Sequence, residues 1–397
     1  MTERNCFAIA PHLHRRLLRK RPSRRKLCLQ HPRSELNVAS TRGLGSLEKG
    51  SWFKLICGAS SQDASSIRNL CEVYTLAGVD CIDVAADESI IRAARKGIDA
   101  GVARGLHKTD EGPLLMVSIN DDSDPHFRKA LFEVKYCLKD CKRPCEMVCP
   151  AEAIDLTGVI ADRCYGCGRC IPVCPIGIVN AIEYVHDTSH VKSMLCQGVD
   201  CLEIHTGKGH LSQFTRLWRS IEDAVVNKLK IVAVSFPDLG ADDDMAQALR
   251  EMWQVISGSG RFLKSGLTLI WQTDGRPMSG DIGRGTAVHS VRLASKVLRL
   301  LDREGLPGHV QLAGGTNFAT ARQMREAGLL RKTGAQIDKG RLMTASGIAV
   351  GGYARKIVRE ELGDKYDDSL NEEELQRAAE CASGLVYGFK SCFPNPT

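Results

Sequence analysis

The chain has 397 residues, 43% of them apolar and 25% charged, which gives two or three folding units of ordinary globular composition. No run approaches the eighteen apolar residues of a membrane span. The formal charge of +7 sits at the start, where residues 1–50 hold twelve Lys/Arg against three Asp/Glu. The slightly acidic remainder gives no support for nucleic-acid binding.

Residues 1–50 are rich in arginine (Arg15, Arg16, Arg19, Arg21, Arg24, Arg25) and poor in acid, with Ser and Leu between. They read as an organelle transit peptide, against a disordered basic tail or nucleic-acid patch; the apolar core of a secretory signal is missing. Globular patterning starts at Trp52.

From Ser51 a short apolar strand, a polar or glycine turn and a helical pattern recur. The predicted strands are Lys54–Gly58, Cys81–Ala85, Leu114–Asn120, Cys201–His205, Lys230–Ser235, Thr268–Gln272, His309–Ala313 and Gly347–Gly351. Each is a short apolar run bounded by turn residues, as buried parallel strands are. Ile67–Ala77 (ended by Gly78), Leu211–Lys228, Met245–Ile256, Ala287–Arg303 and Ala319–Ala327 carry helical spacing. The alternation predicts an α/β fold, a (β/α)8 barrel body, with an open doubly wound sheet as the alternative. Ala354–Leu362 closes the barrel. Asn371–Val386 is a further amphipathic helix with Asn371 and Glu374 placed as a capping box, expected to pack on the barrel.

An insertion interrupts this rhythm after strand three. It reads C-x3-C-x3-C-x3-C-P (Cys137, Cys141, Cys145, Cys149) and then C-x2-C-x2-C-x3-C-P (Cys164, Cys167, Cys170, Cys174). Two thiolate quartets ending in Cys-Pro are how bacterial-type ferredoxins hold two [4Fe-4S] clusters, the fourth cysteine of each run serving the other cluster. That crossing groups Cys164, Cys167, Cys170 and Cys149 around one cluster and Cys137, Cys141, Cys145 and Cys174 around the other. Zinc and disulfides are the competing readings, but zinc favours paired C-x2-C with histidine, and a disulfide framework suits a short secreted chain. The three-residue spacers of the first quartet depart from the usual two and leave a [3Fe-4S] cluster open on that side. The domains follow: a leader at 1–50, barrel at 51–128, a ferredoxin-like insertion at 129–187, barrel again at 188–362, and a C-terminal helix and tail at 363–397.

In a (β/α)8 barrel the strand-to-helix loops line the mouth, where active sites lie. The turns Gly314-Gly315-Thr316-Asn317 and Gly351-Gly352 follow strands seven and eight, the place of phosphate sites in such barrels. They predict a phosphate-bearing ligand, with FMN the leading candidate, against plain tight turns. Strand alternation points Glu203, His205, Asp83, Ser118 and Asn120 inward, with Asp274 just after strand six. These are candidates for proton transfer or ligand polarisation, against a polar layer satisfied by its own hydrogen bonds. Lys54 opens strand one and reads as solvated. Cys57, Cys71, Cys81, Cys196 and Cys201 read as small buried apolar residues, and so many free thiols imply a reducing compartment.

The quartets Cys137–Pro150 and Cys164–Pro175, the opening WFKLICGAS and VYTLAGVDCIDVAAD, the segment LEIHTG and the late QLAGGTN together resemble the light-dependent period protein family of cyanobacteria and its plastid-bearing relatives. The resemblance runs from Trp52 to about Arg355. It implies an iron–sulfur protein that senses redox state and relays it to the circadian clock, with the eight cysteines as ligands. The basic leader departs from a cyanobacterial chain and implies import into the chloroplast stroma, with the mitochondrial matrix as the alternative. Two functions stand: an electron-carrying redox sensor with signalling partners, or an oxidoreductase whose barrel exchanges electrons with ferredoxin or a quinone-linked component through the clusters.

Overall fold

In the computed structural model, residues 44–104, 112–276, 285–331, 344–362 and 370–393 are described. Eight parallel strands close into a barrel in chain order: β1 (Trp52–Ile56), β2 (Cys81–Ala85), β3 (Leu114–Asn120), β4 (Cys201–His205), β5 (Ile231–Phe236), β6 (Thr268–Asp274), β7 (His309–Ala313) and β8 (Gly347–Val350), with β8 pairing back on β1. The open-sheet alternative is thereby excluded. The strands are runs of Val, Ile and Leu because both faces are covered. Their outward side chains pack under helices such as Ala64–Ala77, Glu88–Ala103, Leu211–Lys228 and Ala287–Glu304. The helix Glu88–Ala103 escaped the sequence reading, although Asp87 caps it by accepting from the Ser89 and Ile90 N–H groups.

β1 lies two residues earlier than its sequence pattern suggested. Trp52 pairs with Gly347 and Lys54 with Ala349, so Lys54 occupies the middle of the strand and points into the barrel. The expectation of a solvated lysine is therefore wrong: Lys54 is 0% exposed. The body also begins before Ser51. The helix Leu44–Lys49 closes the bottom of the barrel, with Leu47 fully buried in a cluster with Trp52, Cys81, Met116, Cys201 and Ile270. The rest of the basic leader, residues 1–43, lies outside the described residues. Cys196, read as buried, is exposed, because its helix ends at Met194 and the thiol turns outward toward Lys228.

The insertion leaves the barrel after β3 and returns ahead of β4. Its base is an antiparallel ribbon, Arg128–Leu131 against Asn180–Glu183, and a second small ribbon pairs Ile154–Asp155 with Gly158–Val159. Asn120, at the end of β3, ties this base down. Its amide donates to the carbonyls of Tyr184 (2.7 Å) and Asp122 (2.9 Å). The C-terminal helix Glu372–Lys390 has the expected capping box and packs on the barrel, where Phe389 meets Phe53 edge-on at 6.0 Å.

Leu47→Ala should lower stability by about 2–4 kcal/mol, the usual range for a fully buried leucine. A urea midpoint equal to that of the parent protein would mean that the 44–49 helix does not seal the barrel.

Candidate functional site

The barrel interior is apolar at the bottom and charged in the middle. Lys54 forms an ion pair with Glu203 and a second with Asp83 at 3.6 Å. Ser118 donates to Asp83 (2.8 Å). Gln272 donates to Glu203 (2.6 Å) and to Ser235 (3.0 Å), Gln311 donates to Gln272, and Trp52 donates to Gln311 (2.5 Å). Each of these side chains is at most 3% exposed. Burial acts against the Lys54 charge, but the two carboxylates overcome it and favour the protonated ammonium. Burial pushes Asp83 up to about 6 despite Lys54. Glu203 is held down to about 2, because Lys54 and His205 outweigh its burial.

Above this layer the network continues through residues the sequence reading passed over. His205 Nε2 faces Glu203 Oε1 at 2.9 Å and His205 Nδ1 faces Asp124 Oδ2 at 3.7 Å. His126 Nδ1 lies 2.7 Å from Asp124 Oδ1, and its Nε2 lies 3.2 Å from Asp274 Oδ2. Glu203, His205, Asp124, His126 and Asp274 thus alternate carboxylate and imidazole. Burial opposes imidazole charge, but the flanking carboxylates win and raise His205 to about 10 and His126 to about 9. Asp83, Ser118, Glu203, His205 and Asp274 all come together here, as expected. Asn120 does not line the cavity, since it anchors the insertion. Asp124 and His126 carried one legible signal, an Asp-x-His pair just beyond β3.

A cavity of about 640 Å³ opens over this floor. Its floor is acidic (Asp83, Glu203, Asp274) and its rim basic (Arg163, Arg169, Arg276, Arg355, Lys356, Arg359). Gly314, Gly315, Thr316, Gly351 and Gly352 line it, and Gly352 opens the helix Gly352–Leu362. Asn317 is turned inward instead, accepting from the Ala319 N–H at 2.8 Å and donating to Thr286. The reason for glycine at 314 and 315 also differs from the expected one. Both have positive φ (+71° and +85°), and a Cβ would strike Asp274 and Thr286 of the protein itself rather than a ligand. Arg355 is fixed over the Tyr165 ring (4.3 Å) and donates to the Ile56 carbonyl at 2.9 Å.

The roof of the cavity is the cluster segment: Pro150, Ala151, Tyr165 and Cys167 line it. The eight quartet cysteines form no disulfide and separate into two sets. Cys149, Cys164 and Cys167 lie close enough to Cys170 to act on it electrostatically, and burial with those neighbours pushes its thiol up to about 12. Cys137, Cys141, Cys145 and Cys174 line a small apolar pocket with Phe132, Leu138 and Ile176. Backbone N–H groups of Ala130, Arg143 and Ala153 point at the sulfurs of Cys164, Cys141 and Cys149 at 3.2–3.4 Å. Crowded, partly buried thiols with N–H donors suit thiolates whose charge is taken up by bound iron. The donor set therefore fits iron–sulfur cluster ligation.

Comparison with known proteins agrees. The family model described as the LdpA Fe-S cluster-binding domain matches residues 137–185, and the light dependent period A C-terminal domain matches residues 193–387. Light dependent period A of Synechococcus elongatus is 42% identical over 359 residues, which are 89% of this chain and 95% of that protein. The chain belongs to the light dependent period A family. An uncharacterized ferredoxin of Methanocaldococcus jannaschii is 38% identical over 69 residues, 16% of this chain and 43% of that one. Among solved structures, Mycobacterium tuberculosis tryptophan synthase aligns with 88% of this chain and 97% of its own, at 11% identity and a TM-score of 0.40. The barrel assignment rests on the strand order, and the chain is an iron–sulfur protein of this family.

Lys54→Met should cost about 3–5 kcal/mol, since it leaves two buried carboxylates without their cation. Adding Glu203→Gln should recover part of that loss, and additive costs in denaturant melts would show that the pair is not coupled. The pH dependence has a definite sign. Asp83 binds its proton more tightly folded than unfolded, so its contribution to stability falls as pH rises from about 4 to about 6. Asp83→Asn should remove that contribution, and thermal midpoints taken between pH 4 and 6, where the two proteins should differ in slope, check it.

Proposed function

We propose that this family member is an electron-carrying, redox-sensing protein whose barrel mouth holds a phosphate-bearing anion beside the loop that ligates iron and sulfur. The observation that carries this reading is that Cys167 lines the same cavity as Arg355, Gly351 and the acid floor. When bound, the clusters supply one-electron transfer. The protein contributes a short separation between that chemistry and the cavity, a basic rim to attract an anion, and a floor whose imidazoles and carboxylates can hold or move a proton. Arg355 is the strongest candidate for phosphate contact, because Tyr165 and the Ile56 carbonyl already fix its guanidinium. FMN is the leading ligand on the grounds of the phosphate-site position after β7 and β8. Ferredoxin or a quinone-linked component suits the outer quartet, which faces away from the barrel cavity.

The name of the Synechococcus relative, light dependent period A, supports a role in which redox state is relayed to light-dependent timing. The arginine-rich residues 1–43 support import into the chloroplast stroma. A second reading, an oxidoreductase that turns over the mouth ligand, is favoured by the His205–Glu203 pair at the cavity floor, a geometry able to deliver a proton with the electron.

Anaerobically purified holoprotein should contain iron and acid-labile sulfide and release a phosphorylated compound, identifiable by mass spectrometry, on denaturation. Cys167→Ser should remove about half the iron and sulfide, as expected for one of two clusters. Inorganic phosphate added to ligand-free holoprotein should lower the cluster midpoint potential, since a nearby anion favours the less negative oxidised form, and Arg355→Met should remove the shift. Full iron retention in Cys167→Ser would overturn the ligand assignment; a potential insensitive to phosphate and to offered FMN would overturn the mouth ligand.

A further inference from the structure

The barrel mouth contains a set of residues that neither the clusters nor an anion site uses. Among the described residues, Asp124, His126 and His205 each place one ligand atom within 4.8 Å of the others. Asp124 and His126 stand in the first residues after β3 and His205 ends β4, so adjacent barrel strands bring them together. Both His126 and His205 line the cavity, and open coordination positions would therefore face it.

Two further observations separate this set from an ordinary buried ion-pair network. First, each imidazole has two different neighbours. Its Nδ1 faces the shared carboxylate of Asp124, and its Nε2 faces a separate buried carboxylate, Glu203 at 2.9 Å for His205 and Asp274 at 3.2 Å for His126. Metal-bound histidines show this arrangement, one nitrogen on the ion and the other held by a carboxylate that fixes the ring. Second, Asp274 is 5% exposed, and its Oδ1 has no hydrogen-bond partner among the described residues. The charge balance points the same way. Lys54 pairs with Asp83 and Glu203, whereas Asp124 and Asp274 face the two imidazoles. Two protons on the imidazoles or one divalent ion beside neutral imidazoles would supply the same two positive charges.

We infer that Asp124, His126 and His205 form a mononuclear site for a divalent first-row transition ion at the barrel mouth, with Glu203 and Asp274 as its outer carboxylates. Two imidazoles and one carboxylate with open positions suit zinc or ferrous iron rather than calcium or magnesium. The site is independent of the reading of the rim as a phosphate cradle.

The test is equilibrium dialysis of anaerobic, chelator-treated holoprotein against Zn²⁺, with zinc, iron and sulfide measured together. The native protein should take up about one zinc per chain with iron and sulfide unchanged. Asp124→Asn should lose that zinc at full iron content, and Asp274→Asn, the milder change, should weaken it about 10–100-fold. Native holoprotein that takes up no zinc would overturn the site. Equal zinc uptake by the native protein and both variants would overturn it too, placing the metal on cysteines or surface groups. Because iron and sulfide are counted alongside, failure here is distinct from failure of the cluster reading.

Discussion

A lysine ammonium enclosed by a barrel cannot remain uncompensated, and the arrangement around Lys54 follows from that constraint. Removing an ion from water costs several kcal/mol unless charge and hydrogen bonds are returned to it. Glu203 and Asp83 return the charge, and Gln272, Ser118 and His205 in turn satisfy the carboxylates. A layer of this kind stabilises less than branched apolar side chains of the same volume would. It also imposes one arrangement, because a half-satisfied polar network in a low-dielectric interior is worse than none. The barrel thus carries a charged floor that folding alone does not require. What that floor supports is the cavity above it.

The same logic explains why the middle of the barrel was only partly legible from sequence. Strand alternation correctly turned Asp83, Ser118, Glu203 and His205 inward, since a period of two leaves no other side for them once Leu202, Ile204 and Val84 pack against helices. Lys54 was lost through a two-residue misplacement of β1. The strand pattern appeared to start at Lys54, whereas Trp52 and Phe53 are the first paired residues. Asp124 and His126 were lost for another reason. They occupy no strand, and only closure of the barrel beside the insertion brings them to His205. Long-range juxtaposition of loop residues has no periodic signature.

Local chemistry, by contrast, was read well where spacing alone dictates it. The capping box of Asn371 and Glu374 and the glycine after Ala77 are short-range patterns whose physical causes lie within a turn or two of chain. The glycine pairs show where such reading reaches its limit. Gly314 and Gly315 do line the mouth, but what requires glycine there is the close approach of Asp274 and Thr286 at left-handed φ. A ligand and a neighbouring carboxylate leave the same mark on a sequence.

The position of the insertion joins these strands of argument. A cluster domain attached to any surface loop could exchange electrons with a partner, but only a strand-to-helix loop holds it over the barrel mouth. Asn120 makes the attachment specific, since its amide fixes both the exit of β3 and the return of the chain at Tyr184. Tyr184 carries the tie onward, its hydroxyl meeting Ser60 at 3.0 Å in the loop after β1. The base of the insertion is thereby fastened on either side of the stretch that presents Asp124 and His126. Any shift of the cluster segment would be felt first at those two residues, and through them at His205 and Glu203. The fold therefore ties the cluster segment to the barrel beside the charged floor through these hydrogen bonds.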